Sequence, residues 1–193
     1  MRAVLIAAAA WCAIAAAPAL ARDGERAPAP RELAAAGTVQ VAFPPWDDAE
    51  GLVVAAIDAA RRQIRVQTFT FSNRAIARAL VAARQRGVDV AVTADRGQVY
   101  GAGFTRIPEL ARAGIPVWLE VRYAAAHSKV MVIDADTRES VLITGSFNWT
   151  SAAQRKNAEN LLIVRRNRDL ALEYLANWER RRAQALPYGR PAR

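Results

Sequence analysis

Residues 63–94 read QIRVQTFTFSNRAIARALVAARQRGVDVAVTA, and the periodicity of this stretch changes twice. Gln63 to Phe71 is dense in β-branched and aromatic residues, which suit a pleated, half-buried surface, so a strand is expected there. Ser72 or Asn73 can then cap a helix over Arg74 to Arg86, and Gly87 supplies its stop. Val88 to Ala94 follows as a nearly continuous apolar strand, the pattern expected where both faces of a sheet are covered.

The same alternation extends outward. Upstream, Thr38 to Phe43 is a short β-like run closed by Pro44-Pro45, and Ala49 to Arg62 carries apolar residues at helical spacing (Leu52, Val53, Ala56, Ile57, Ala60). Downstream, Phe104 to Ala113 reads as a helix stopped by Gly114, and Ile115 to Val121 as a strand. Strands separated by helices imply an α/β fold, with a mixed, largely parallel β-sheet flanked by helices on both faces in one domain. From His127 the rhythm changes. Ser128 to Asp134 and Ser140 to Thr144 read as strands of a hairpin joined by the polar turn Ala135 to Glu139. A short helix over Thr150 to Lys156, a strand over Asn160 to Val164 and an amphipathic helix over Asp169 to Arg182 complete the domain.

The 193 residues, 53% apolar and 23% charged, are the composition of a globular chain, excluding disorder and a multi-span membrane protein. Residues 1–21 are expected to be a signal peptide: Arg2 opens it, Ala3 to Ala17 is uncharged and apolar, and Ala19-Leu20-Ala21 suits cleavage after Ala21. Residues 22–37 read as a flexible lead-in, 38–184 as the folded domain and 185–193 as a C-terminal tail. The sole cysteine, Cys12, lies within the leader, so the mature chain has no disulfide, thiolate metal site or cysteine nucleophile. A periplasmic or secreted location is therefore expected. Removing Arg2 with the leader takes the formal charge from +9 to +8, which suits a polyanionic partner, either nucleic acid or an anionic lipid surface. The basic residues are almost all arginine; Lys129 and Lys156 are the only lysines, and Lys129 stands two residues from the sole histidine, His127. A compact ammonium with three rotatable donors differs in kind from a guanidinium fork.

Three polar clusters remain once the scaffold is assigned: His127-Ser128-Lys129, Gly145-Ser146-Phe147-Asn148 and Asn157-Ala158-Glu159-Asn160. In extended chain, residues two apart share a side, so His127 and Lys129 point together, as Ser146 and Asn148 can. The hairpin would bring the two pairs close. An imidazole is a competent nucleophile, an ammonium and a carboxamide can hold phosphate oxygens, and a carboxylate can fix the imidazole tautomer. That set describes a phosphodiester site without a metal or other cofactor. One histidine and no mature cysteine leave too few ligands for zinc, and a two-metal site would need a compact carboxylate cluster.

His127-x-Lys129-x4-Asp134 followed by Gly145-Ser146-x-Asn148 resembles the HKD signature of the phospholipase D superfamily, and most of all its small bacterial single-motif branch of periplasmic, EDTA-resistant endonucleases. The similarity runs from about Val39 to Trp178. It implies a phospholipase D-like fold in which His127 attacks phosphorus and forms a phosphohistidine. By the same resemblance Lys129 and Asn148 bind the non-bridging oxygens, Ser146 supports that pocket and Glu159 accepts a hydrogen bond from His127. Asp134 and Gly145 are structural members of the motif. The family mechanism uses a second histidine as acid, and the mature chain has one, so the resemblance implies a homodimer with the active site at the two-fold interface. The expected activity is endonucleolytic cleavage of DNA or RNA. A phospholipid phosphodiesterase is the alternative, and an inactive polyanion-binding protein the third reading. Trp149 is expected to pack rather than stack a base. Arg155 and Lys156 read equally as a solvated helix end or as backbone-phosphate contacts, and Arg180-Arg181-Arg182 as the charged end of the last helix, with polyanion binding as the alternative.

Overall fold

A computed structural model of the chain describes residues 30–101 and 103–189. The expected leader and its expected cleavage site lie outside the described residues. The domain's eight strands are β1 (Thr38–Ala42), β2 (Gln63–Thr68), β3 (Asp89–Asp95), β4 (Val117–Glu120), β5 (Val130–Ile133), β6 (Val141–Gly145), β7 (Leu161–Arg165) and β8 (Leu186–Pro187). The helices are α1 (Ala49–Ala59), α2 (Arg74–Gln85), α3 (Arg96–Gly101), α4 (Ile107–Arg112), α5 (Ser151–Arg155) and α6 (Arg168–Ala183). All strands join one sheet in the order β1-β7-β6-β5-β2-β3-β4-β8.

The sheet is mixed, as expected, but it is not largely parallel. Only β2–β3 and β3–β4 pair in parallel, across α2 and across the α3–α4 segment, and the other five pairings are antiparallel. The strand and helix alternation of the first half is real. The hairpin β5–β6 is antiparallel, as its short connection requires, and the sheet continues antiparallel to β7, reached across α5, and to β1, which comes from the other end of the domain. The segment expected to be a C-terminal tail contributes β8, whose Leu186 and Pro187 pair with Leu119 and Trp118.

Alternating side chains divide the sheet between two cores. Met131, Ile133, Ile143, Leu161 and Ile163 face the larger core, with buried residues of α1, α2, α4 and α5. Val130, Val132, Leu142 and Val164 face the other, covered by α6 through Ala171. Polar side chains start four of the helices: Asp48, Asn73, Thr150 and Asn167 each accept a backbone N–H of the first turn. Asn73, fully buried, also donates its amide N–H to Glu50, tying α2 to α1.

Candidate active site

His127 and Lys129 immediately precede β5, and Ser146 and Asn148 follow β6. Because Val130 pairs with Thr144, both segments leave the hairpin at the same end. Lys129 is 5% exposed, and its ammonium donates to the His127 carbonyl oxygen at 2.8 Å. The same Nζ lies 2.7 Å from Nδ1 and 3.0 Å from Nε2 of His127. An ammonium has no acceptor, so this approach requires a ring nitrogen with a free lone pair, the form of imidazole able to act as a nucleophile. Burial holds the Lys129 pKa below the ordinary lysine value of 10.5, and the nearby Glu159 carboxylate works against that shift.

Phe69, just past β2, forms one wall. Its ring centre is 4.3 Å from that of exposed His127, tilted by 54°, and 5.0 Å from Lys129 Nζ. The next residue, Thr70, donates its hydroxyl to Asn148 Oδ1 at 3.0 Å. That bond occupies the acceptor end of the carboxamide and leaves its Nδ2–H₂ as the donor end. Phe71 then bridges to Trp149. One short run after β2 thus touches both halves of the motif, while no hydrogen bond links His127 or Lys129 to Ser146 or Asn148.

Gly145 adopts φ +143°, and a Cβ there would lie 2.3 Å from the Asn160 carbonyl oxygen. Glycine is required because the same oxygen must come close enough to accept the N–H groups of Ser146 (3.1 Å) and Phe147 (3.2 Å). Ser146 Oγ donates to Glu159 Oε2 at 2.5 Å and accepts the Asn160 N–H at 3.0 Å. Asn157 Nδ2 donates to Glu159 Oε1 at 2.9 Å. The expected hydrogen bond from His127 to Glu159 is therefore absent: both carboxylate oxygens are held by the second and third clusters, and Lys129 takes their place at the ring. Ser146 and Glu159 form one unit, but Ser146 and Asn148 engage different neighbours.

The segment carrying His127 is pinned on both sides by residues that the motifs did not reveal. Asp95, at the end of β3, accepts the Ala126 N–H at 2.8 Å. Arg181, from α6, donates to Ser128 Oγ at 2.8 Å and forms an ion pair with buried Glu120 at 2.6 Å. Arg181 is thus more than part of a charged helix end. Asp95 carried one sequence signal, its place at the carboxyl end of a strand, where α/β sheets open their crevices. Arg181 carried none.

Asp134 lies at the opposite end of β5. Its carboxylate accepts three backbone N–H groups, from Arg62 (2.8 Å) and Gln63 (2.9 Å) on Oδ1 and Arg61 (2.9 Å) on Oδ2. It holds the entry to β2 and stands away from the His127 pocket. Trp149 is fully buried and donates its indole N–H to the Gln67 carbonyl at 3.2 Å, so it packs as expected. Arg155 and Lys156 are exposed. Among the described residues, no three His, Cys, Asp or Glu side chains are placed to hold a metal ion.

The family described as "Cardiolipin synthase, PLD-like domain" matches residues 53–182. A phospholipase D of Rickettsia felis is 39% identical over 145 residues, which is 75% of this chain and 70% of that protein. A mitochondrial cardiolipin hydrolase of Xenopus laevis is 34% identical over 122 residues, covering 63% of this chain and 56% of the relative. Among solved structures, the phospholipase D family member Nuc from Salmonella typhimurium superposes with a TM-score of 0.72 at 35% identity, over 79% of this chain and 99% of its own.

Proposed function

The chain belongs to the phospholipase D-like family of phosphodiesterases, and within it we propose that this protein is an exported, metal-independent endonuclease that cleaves DNA or RNA through a phosphohistidine. The observation that carries the proposal is the buried Lys129 ammonium set against both ring nitrogens of exposed His127. A diester phosphate entering here offers Lys129 a full anionic charge in exchange for a neutral ring. Transfer of the ammonium to a non-bridging oxygen frees the imidazole lone pair at the moment the phosphorus comes within reach.

In the first step the P–N bond to His127 forms as the P–O bond to the leaving group breaks. Lys129 and the Nδ2–H₂ end of Asn148 hold the oxygens on which charge accumulates. The leaving oxygen takes a proton from an imidazolium, for which the mature chain's single histidine implies the partner subunit's His127 in a two-fold dimer. That imidazole, now neutral, accepts a proton from water. The resulting hydroxide attacks phosphorus, the P–N bond breaks, and His127 is restored with release of a phosphomonoester. Ser146 and Glu159 support the pocket, and the Glu159 charge favours the ammonium form of Lys129. The formal charge of +8 after loss of the leader favours a nucleic acid as polyanion.

One observation favours phospholipid instead. Phe43 and Trp46 are 49% and 86% exposed, and between them the Pro44 carbonyl accepts the Glu159 N–H at 3.3 Å, which sets an apolar turn beside the site. The test is a side-by-side rate measurement in EDTA on plasmid DNA, single-stranded RNA and cardiolipin vesicles. Endonuclease action requires nicking at least a hundredfold faster, per diester, than lipid cleavage, and the reverse ratio replaces it with the phospholipase reading.

A further inference from the structure

At the end of the sheet remote from His127, a cleft of about 580 Å³ opens between α1 and the ends of β5, β6 and β7. Along β5 the five residues from Lys129 to Asp134 put roughly 17 Å between the two places, at a strand rise of about 3.3 Å per residue. One wall is apolar, from Ala55, Ala59 and Val141, and the other carries Arg61, Arg165 and Arg166. The small alanine side chains of α1 leave the space open.

The arginines are not neutralised from within. Arg165 Nη1 is buried and has no hydrogen-bond partner, and none of the three guanidiniums takes part in an ion pair among the described residues. Two carboxylates border the cleft. Asp134 has its oxygens filled by the three backbone N–H groups at Arg61 to Gln63, and Glu139 is exposed. A buried guanidinium nitrogen without an acceptor is costly, and native proteins rarely keep one without a ligand or counter-ion. The only non-glycine residues with positive φ among those described, Asp134 at 49° and Arg166 at 59°, both line this cleft. Backbone held in that sparsely populated region clusters where a binding surface over-determines it.

We infer that this cleft is a second anion site, which takes a phosphate group on Arg61, Arg165 and Arg166 and seats its organic substituent on the alanine wall of α1. The ligand class is an organic phosphate, supplied either as a nucleotide or as a glycerophosphate headgroup. The inference is independent of which diester the His127 pocket cleaves.

The test is an NMR titration of the full chain with inorganic phosphate, with chloride adjusted to hold ionic strength constant. The amide signals of Val141, Arg165 and Arg166 are expected to follow a saturable isotherm distinct from that of Ser146 and Phe147 at the catalytic end. Arg165→Gln should weaken the remote isotherm at least tenfold, and surface-exposed Arg61→Gln several-fold, with plasmid nicking unchanged in both. Because Arg61 is exposed, its variant keeps the test valid should Arg165→Gln fail to fold. Thymidine 5′-monophosphate and glycerol 3-phosphate, titrated in parallel, identify the source by which binds more tightly. Remote signals that do not move with any of the three ligands, or that move equally in the Arg61 and Arg165 variants, overturn the inference.

Discussion

Replacing Asp134 with asparagine separates the structural part of the motif from its chemistry. The Asp134 carboxylate accepts three backbone N–H groups at 2.8–2.9 Å and is 6% exposed. Hydrogen bonds to a charged acceptor contribute about 1.5–3 kcal/mol each, and neutral ones nearer 1 kcal/mol. An asparagine can keep the two bonds to Oδ1 in the weaker form, at a loss of about 1 kcal/mol apiece. Its Nδ2 would then face the Arg61 N–H, donor against donor, which costs about 1–3 kcal/mol more. The expected loss is roughly 3–5 kcal/mol out of a total of roughly 5–15 kcal/mol for a domain of this kind. Asparagine tolerates positive φ well, so the backbone angle of 49° adds nothing to the penalty. Urea unfolding followed by tryptophan fluorescence measures the loss, and initial nicking rates at low temperature measure turnover per folded molecule. A stability loss below about 1 kcal/mol would refute the bond accounting. A tenfold fall in turnover of fully folded enzyme would refute the structural role.

Gly145→Ala places a Cβ 2.3 Å from the Asn160 carbonyl at a backbone angle that side chains avoid; a midpoint shift equivalent to about 2–4 kcal/mol in urea is expected, and an unshifted midpoint would count against the close approach. Thr70→Val removes the hydroxyl that orients Asn148, so kcat should fall several-fold with a stability change of no more than about 1 kcal/mol, whereas an unchanged kcat would dissociate Thr70 from the site. If turnover needs the Lys129 ammonium, the rate should fall as pH rises through a value below 10.5, because burial favours the neutral amine. Glu159→Gln removes the opposing charge and should move that alkaline limb to lower pH; a limb at 10.5 or above in the parent would be inconsistent with the buried setting of Lys129.

The local signals that reached the fold were those carried by short-range repetition. The apolar faces of α2 and β3, the Asn73 cap and the β5–β6 hairpin each express a period or a turn within a dozen residues. Strand direction is not legible in the sequence, because pairing such as β1 with β7 is a long-range fact that leaves no local period. The six-residue α3 and two-residue β8 are too short to display a period at all. At the candidate site, His127 and Lys129 could be placed together because two residues of extended chain share a face. Thr70 with Asn148 is separated by 78 residues, and Arg181 with Ser128 by 53, so nothing adjacent in sequence announces either contact. The partners that Glu159 has here, Ser146 and Asn157, are hidden for a related reason, since the choice between them and His127 depends on how two loops meet.

The central claim is that His127 carries a metal-free phosphodiester cleavage. Plasmid DNA incubated in excess EDTA with the parent protein and with His127→Ala, each quenched and analysed for protein-bound phosphate, tests it most directly. Nicking by the parent is expected, with an acid-labile phosphoramidate joining His127 to one DNA end, and neither is expected in the variant. Nicking by His127→Ala at the parental rate, or parental nicking that EDTA abolishes, would contradict it.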